Sequence, residues 1–73
     1  MQRYANLSGD SGVAAYGIAP DAILVRFRDG DRVYRYSHRS AGREAVEEMK
    51  RLARAGHGLS TFISRHAWDL YER

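Results

Sequence analysis

The sequence feature that most restricts the fold is an Asp-Gly pair between two alternating apolar runs. Apolar side chains occupy every second position from Ile23 to Phe27 and again from Tyr34 to Tyr36. This period of two is typical of strands that bury one face. Asp29-Gly30 between them predicts a two-residue hairpin loop with positive φ at both loop positions. The predicted strands are residues 22–28 and 32–37.

The predicted loop length also fixes which side chains face the core. A two-residue loop pairs Val25 with Tyr34 and Ile23 with Tyr36, so the large apolar groups share one face. A loop one residue longer would place Val25 opposite Arg35 and turn the tyrosines away from the core. The other face of the hairpin is then expected to present Leu24, Arg26, Arg28, Asp31, Val33 and Arg35.

The remaining elements complete an α+β domain of order β-β-β-α-α. Residues 13–18 form a plausible first strand, which ends at a turn centred on Pro20. Ser40 is a suitable cap for a helix that runs to Ala55, with Gly56 just past its end. After that glycine, a short second helix capped by Ser60 follows helical apolar spacing. We expect a three-stranded antiparallel meander with one face covered by the main helix and one end sealed by the second.

The main helix is amphipathic, and its two sides separate core from solvent. Its apolar stripe is Ala45, Val46, Met49, Leu52 and Ala53. Its predicted solvated side is Glu44, Glu47, Glu48, Lys50, Arg51 and Arg54. The predicted core is Tyr16, Ile18, Ile23, Val25, Phe27, Tyr34, Tyr36, Val46, Met49, Leu52, Leu59, Phe62 and Ile63.

Length and composition place the chain among small globular domains. Its 73 residues suffice for one domain, predicted at residues 13–73, behind a flexible N-terminal segment at residues 1–12. The absence of cysteine excludes a disulfide framework and a thiolate metal site, and it favours a reducing compartment. No apolar run resembles a secretory signal or a membrane span, so we expect a cytoplasmic protein without a membrane partner.

The charge of the chain favours a polyanionic partner. Its net charge is +3, and eleven of its twelve Lys and Arg residues are arginine. The guanidinium fork binds phosphates with two hydrogen bonds and also stacks on bases. Arginines on the predicted open sheet face are therefore candidates for phosphate contacts.

Two other candidate chemistries, a serine nucleophile and a histidine metal site, have simpler structural explanations. Gly9-Asp10-Ser11-Gly12 matches the string around the nucleophile of trypsin-like proteases, but that serine needs a positioned histidine and an oxyanion hole on a much larger scaffold. His38, His57 and His66 lie on separate elements without the spacing of metal ligands. We expect neither an enzyme nor a metal site, and no cofactor or small-molecule substrate.

The order of elements around Tyr34-Arg35-Tyr36 resembles the KTSC family. That family has a YxY motif after a Gly-bearing hairpin, then a helix and an apolar C-terminal segment, and the resemblance covers residues 13–71. The family is named after the C-terminal domain of some lysyl-tRNA synthetases and also occurs as small bacterial proteins. Its function is undetermined, and the resemblance implies RNA binding by association with the synthetase. Two differences are Ser37-His38-Arg39, where the family has valine-proline, and the spacing of Phe62-Ile63.

These observations predict a non-catalytic module that binds RNA, such as a tRNA, through its basic sheet face. The predicted phosphate contacts are Arg26, Arg28 and Arg35, assisted by Arg32 or Arg39. The tyrosines of the YxY motif could stack on bases, but the register assigns them to the core. Two alternatives stay open. The basic sheet face is an ordinary solvated face, or the chain is a protein-interaction or self-association module that uses the open sheet face or an exposed strand edge.

Overall fold

The computed structural model describes residues 1–7, 9 and 12–72 and confirms the α+β fold. Its sheet is an antiparallel meander of four strands, one more than predicted, in the order β1-β2-β3-β4. The strands are β1 (Gln2–Arg3), β2 (Val13–Ala19), β3 (Ala22–Phe27) and β4 (Val33–Ser37). The helices are α1 (His38–Ala41), α2 (Arg43–Ala55) and α3 (Leu59–Phe62), and a π-helical segment comes next at Ile63–Ala67.

The central hairpin has the predicted register but not the predicted loop conformation. Val25 pairs with Tyr34 and Ile23 pairs with Tyr36, as the spacing requires. Neither Asp29 nor Gly30 has positive φ, however, and residues 28–32 connect the two strands. The prediction of positive φ is therefore wrong, while the number of residues between paired positions is confirmed.

The side chains of one sheet face pack with the helices into the core. Eight predicted core residues are buried: Tyr16, Ile23, Val25, Tyr36, Val46, Met49, Leu59 and Ile63. Four more are partly buried and pack against that cluster: Phe27, Tyr34, Leu52 and Phe62. Ile18 was predicted in the core, and this is wrong because its side chain is 40% exposed. It lies next to the β2–β3 turn, at the end of the sheet.

The helical half begins earlier than predicted and is interrupted. Ser37, rather than Ser40, caps α1, and the two serines form a capping box in which each backbone N–H donates to the other's hydroxyl. Gly42 then adopts a φ of 91° that separates α1 from α2. Gly56 ends α2 in the left-handed conformation, as predicted. The predicted Ser60 cap is wrong, because α3 starts after Gly58.

The N-terminal residues include a strand and a core side chain that the sequence did not predict. Gln2 and Arg3 pair with Tyr16 and Ala15 of β2. The next residue, Tyr4, is 3% exposed and packs in the core. Whether the rest of residues 1–12 is flexible stays a prediction, but β1 and Tyr4 belong to the domain.

No helix of the described residues is both long and apolar enough to cross a membrane.

Candidate functional site

The five arginines predicted to bind phosphate do not all line one cavity. Arg26 is on the open face of β3, and Arg28 comes just after the end of that strand. Arg35 is bound by two carboxylates, Arg32 lies over an aromatic ring, and Arg39 is on α1. Of these five, Arg26 and Arg28 line a common cavity. The structure adds to them a residue that the sequence prediction left out, Arg3.

Arg3, Arg26 and Arg28 line a cavity of about 640 Å³, which we call the arginine cavity. The register explains the grouping, because Arg3 and Arg26 both pair with Ala15 from opposite sides of β2. Their Cα atoms are thus two strand spacings apart, roughly 10 Å. None of the described lining residues of this cavity is acidic.

A bulge in β2 shapes the arginine cavity. Val13 pairs with Phe27 and Ala15 with Arg26, so Ala14 is the extra residue. Its carbonyl accepts a hydrogen bond of 3.0 Å from the Tyr4 N–H, which continues the β1 pairing past Arg3. Bulges increase the local twist of a strand. The bulge thus lies among the residues that line the cavity and helps to set its shape.

Two contacts with the helical half hold β1 in place. The Leu59 N–H donates to the hydroxyl oxygen of buried Tyr4 at 3.3 Å. The Leu7 N–H donates to the Gly56 carbonyl at 2.7 Å. A Cβ at Gly56 would approach the Ala5 Cβ to 2.8 Å, so the chain passes close to the end of α2. Arg3 is therefore carried by an anchored strand.

A second cavity, of about 580 Å³, lies between the sheet and the C-terminal helical segment and is lined by aromatic rings. We call it the aromatic cavity. Its aromatic lining is Phe27, Tyr34, Tyr36, Trp68 and Tyr71. Ser60, Ser64, Arg28 and Asp29 supply polar groups to the same lining. Arg28 thus lines both cavities.

The rings of the aromatic cavity fix one another in edge-to-face contacts. Tyr34 lies 5.6 Å from Phe27 and 4.8 Å from Tyr71, between ring centroids. Tyr71 also contacts Tyr36 at 6.2 Å. The Arg32 guanidinium carbon lies 4.8 Å from the Tyr34 ring centre, a distance typical of cation–π contacts. Because these rings constrain each other, this wall of the cavity is formed without a ligand.

Tyr36 stays neutral in this environment over the physiological pH range. Burial raises the pKa of Tyr36 to about 12, and the neighbouring Tyr34 and Tyr71 add to the effect. A neutral phenol can both donate and accept a hydrogen bond. The hydroxyl of Tyr36, a lining residue of the aromatic cavity, is therefore a hydrogen-bonding group rather than an anion.

At the opposite end of the sheet, the charged groups are paired with one another. The Arg35 guanidinium lies 3.4 Å from an Asp21 carboxylate oxygen and 3.1 Å from one of Glu72. The Glu72 N–H also donates to the Arg35 carbonyl at 2.7 Å, so the C-terminal residues lie along β4. We call Arg35, Asp21 and Glu72, together with Glu47, His38 and Lys50, the paired end.

The α1–α2 part of the paired end is centred on Glu47. Its carboxylate lies 2.8 Å from a ring nitrogen of His38 and 3.0 Å from the Lys50 ammonium. Hydrogen bonds from His38 and Lys50 lower the pKa of Glu47. Lys50 was predicted on the solvated side of the helix, and this is wrong: it is 4% exposed and also donates to the Pro20 carbonyl.

The residues of the two weaker candidate chemistries do not form a described site. Among residues 1–7, 9 and 12–72, no group of three or more His, Asp or Glu side chains could hold a metal ion. His38 contacts Glu47, and His66 packs against Phe62 with ring centroids 5.1 Å apart and the ring planes tilted by 47°. Asp10 and Ser11 of the protease-like string lie outside the described residues.

One weak signal for this site was present in the sequence. Arg3 precedes Tyr4, and an aromatic residue next to a basic one near a chain terminus is compatible with a short edge strand. Two residues are too few to show a period of two, however, so the pattern could not reveal β1. The aromatic cavity could not be read from periodicity either, because Trp68 and Tyr71 reach it from the other end of the chain.

In comparisons with known proteins, no family model, no curated protein and no solved structure matches this chain. The resemblance to the KTSC family therefore stays a prediction. What can be proposed about function depends on the chain's own residues and their arrangement.

Proposed function

We propose that this chain is a non-catalytic cytoplasmic module that binds single-stranded segments of RNA through their phosphates. The contacts come from Arg3, Arg26 and Arg28. The observation that carries the proposal is the arginine cavity, which gathers these three side chains with no acidic residue among its described lining. Guanidinium groups that lack a carboxylate partner keep their hydrogen bonds and charge for an incoming anion.

The proposal omits Arg35, which the sequence predicted as a phosphate contact, because its charge is already paired. Asp21 and Glu72 offset that charge at 3.4 and 3.1 Å. A phosphate would have to compete with both carboxylates and would be repelled by them. Arg32 is held over the ring of Tyr34, and Arg39 lies on α1, away from the arginine cavity.

Single-stranded rather than duplex RNA is favoured by the position of Arg28. This residue lines the arginine cavity and the aromatic cavity, so a phosphate bound there would lie next to aromatic rings. Single strands can turn their bases toward such rings, whereas bases in a duplex remain stacked on each other.

The interaction alternative has less support. An exposed strand edge would favour pairing with another chain. The two edge strands offer little for such pairing. The edge strand β1 has two residues, and at the other edge the Arg35 carbonyl of β4 already accepts a hydrogen bond from the Glu72 N–H. Of the apolar side chains on the open face, Val33 is 41% exposed and Leu24 is half-buried.

The test is a salt titration of affinity with a fluorescently labelled single-stranded RNA, read by anisotropy. Three phosphate contacts predict a log–log slope of about −2, which is roughly an eighteen-fold loss of affinity for a four-fold rise in salt. Arg28→Gln should reduce the slope to about −1.4. A flat titration in the wild-type protein would reject the proposal.

Arg35→Gln is the matched control for that experiment. It removes the same charge but from a side chain that is already paired. We expect its salt slope to equal that of the wild-type protein. Equal losses of slope in Arg28→Gln and Arg35→Gln would show that the effect is one of net charge and not of the arginine cavity.

A further inference from the structure

The aromatic cavity is well formed, but the proposed phosphate contacts do not assign a ligand to it. Its volume of about 580 Å³ falls in the range of small-molecule sites. Phe27, Tyr34 and Tyr71 fix each other at centroid distances of 5.6 and 4.8 Å. A rigid aromatic wall lowers the entropy cost of binding a flat ligand.

Trp68 provides an open ring at this cavity. Its side chain is 68% exposed, and among the described residues it is the one aromatic side chain in the group of exposed large hydrophobic residues. The preceding helical segment is anchored, because Ile63 and Ala67 are buried. The indole is therefore held at the cavity by its backbone while much of its surface remains available.

The polar groups of the cavity limit the ligands that it could hold. Arg28 disfavours a cationic ligand because of its positive charge. The Arg32 guanidinium already occupies the cation–π position over the Tyr34 ring. The lining includes Tyr36 and Ser60, which have hydroxyls, and Asp29, which has a carboxylate. Hydroxyls and a carboxylate suit the mixed donors and acceptors on the edge of a nucleobase.

We propose that the aromatic cavity receives one unstacked nucleobase of the bound RNA, with the indole of Trp68 stacked on it. This inference rests on the proposed function, since the base belongs to the strand whose phosphates contact Arg3, Arg26 and Arg28. Arg28 connects the two parts because it lines both cavities. The module then distinguishes an unpaired base from a bare phosphate chain.

The test compares two oligomers with equal numbers of phosphates: a single-stranded oligoribonucleotide and an abasic oligomer. Trp68 is the chain's one tryptophan, so intrinsic fluorescence reports on the cavity directly. We expect both oligomers to bind with the same salt slope. The base-bearing oligomer should bind about tenfold more tightly and quench the fluorescence, because aromatic stacking adds affinity per base. The abasic oligomer should not quench.

Trp68→Ala separates stacking from phosphate contacts. We expect it to lower affinity for the base-bearing oligomer about tenfold, to the level of the abasic oligomer, while abasic binding is unchanged. Trp68→Phe should recover part of the loss. Leu7→Ala is the control, since Leu7 is 70% exposed but does not line the aromatic cavity. Circular dichroism verifies that each variant is folded.

The outcomes distinguish the two proposals. Equal affinity for both oligomers without quenching, or a loss of affinity for both in Trp68→Ala, overturns the base-binding inference and leaves phosphate binding in place. Failure of the wild-type protein to bind either oligomer removes the proposed function and the inference with it.

Discussion

The two ends of the sheet use arginine in opposite ways. At the paired end, Arg35 is bound by Asp21 and Glu72, and Lys50 by Glu47. At the arginine cavity, three guanidinium groups share a lining in which no described residue is acidic. Both ends belong to the same sheet, and Arg26 and Arg35 lie on the same open face.

The contrast teaches that acid placement, rather than the number of arginines, marks the candidate binding surface. Paired charges connect elements of the fold: Asp21 lies in the β2–β3 turn, and Glu72 lies in the C-terminal segment. Arginines that form no ion pair with a described carboxylate remain available to a ligand. Substitutions at the paired end and in the core should therefore change stability, and substitutions at the arginine cavity should change binding.

The largest expected effect concerns the core. The pKa of Tyr36 is raised from 10.0 to about 12 by burial, with Tyr34 and Tyr71 adding to it. Between these pH values the unfolded chain releases the proton and the folded chain retains it. The stability contributed by protonated Tyr36 is therefore fully present below pH 10. The free energy of unfolding falls by roughly 2 kcal/mol as the pH rises from 10 to 12.

Urea unfolding across this pH range measures the effect. Tyr36→Phe is the control, because it keeps the ring and removes the titrating hydroxyl. The variant should lose less stability than the wild-type protein between pH 10 and 12. An identical decline in both proteins would assign the pH dependence to other groups.

The next largest effect should come from giving the arginine cavity a carboxylate. Val33 pairs with Arg26 on the open face and is 41% exposed. Val33→Glu would place an acid beside Arg26 and imitate the paired end. We expect RNA affinity to fall about tenfold and the log–log salt slope to become less steep by about 0.7. The free energy of unfolding should change by less than about 1 kcal/mol. Anisotropy and urea unfolding measure these quantities.

Val33→Gln separates charge from the loss of an apolar side chain. It should bind RNA nearly as well as the wild-type protein. If Val33→Gln and Val33→Glu weaken binding equally, the carboxylate is not the cause, and the comparison between the two ends fails.

The smallest effect should come from opening the paired end. Asp21→Asn removes one of the two acids on Arg35. Both partners are substantially exposed, at 36% and 64%, so we expect a loss of about 0.5 kcal/mol in the free energy of unfolding. RNA affinity should rise by less than about twofold, because Glu72 still holds the guanidinium. A gain as large as the Val33→Glu loss would mean that Arg35 contacts RNA.

The sheet was predictable because its register depends on spacing rather than on loop conformation. Gly30 lacks positive φ, and Val25 still lies opposite Tyr34. Burial of the alternating residues selects the same pairing for any loop of that length. The main helix end at Gly56 was predictable for a similar local reason, since a left-handed glycine ends helices.

The candidate site was less predictable because its parts meet only in the folded chain. Tyr4 is buried by a contact with Leu59, fifty-five positions away, which no local pattern contains. Lys50 has the spacing of a solvated residue, but the β2–β3 turn covers it through the Pro20 carbonyl. Arg35 has the strand position of a phosphate contact, and only the tertiary fold brings Asp21 and Glu72 to it.

The π-helical segment makes the winding of the helix itself part of the aromatic cavity. A π turn contains about one more residue than an α turn, so Ile63–Ala67 places the residues after it out of step with α3. If the same five residues were wound as an ordinary α-helix, the later side chains would rotate by roughly 100°. Trp68 and Tyr71 would then leave their present positions although every side chain of the cavity was retained. A change of winding in this segment is thus equivalent to removing the two rings that the C-terminal residues give to the cavity.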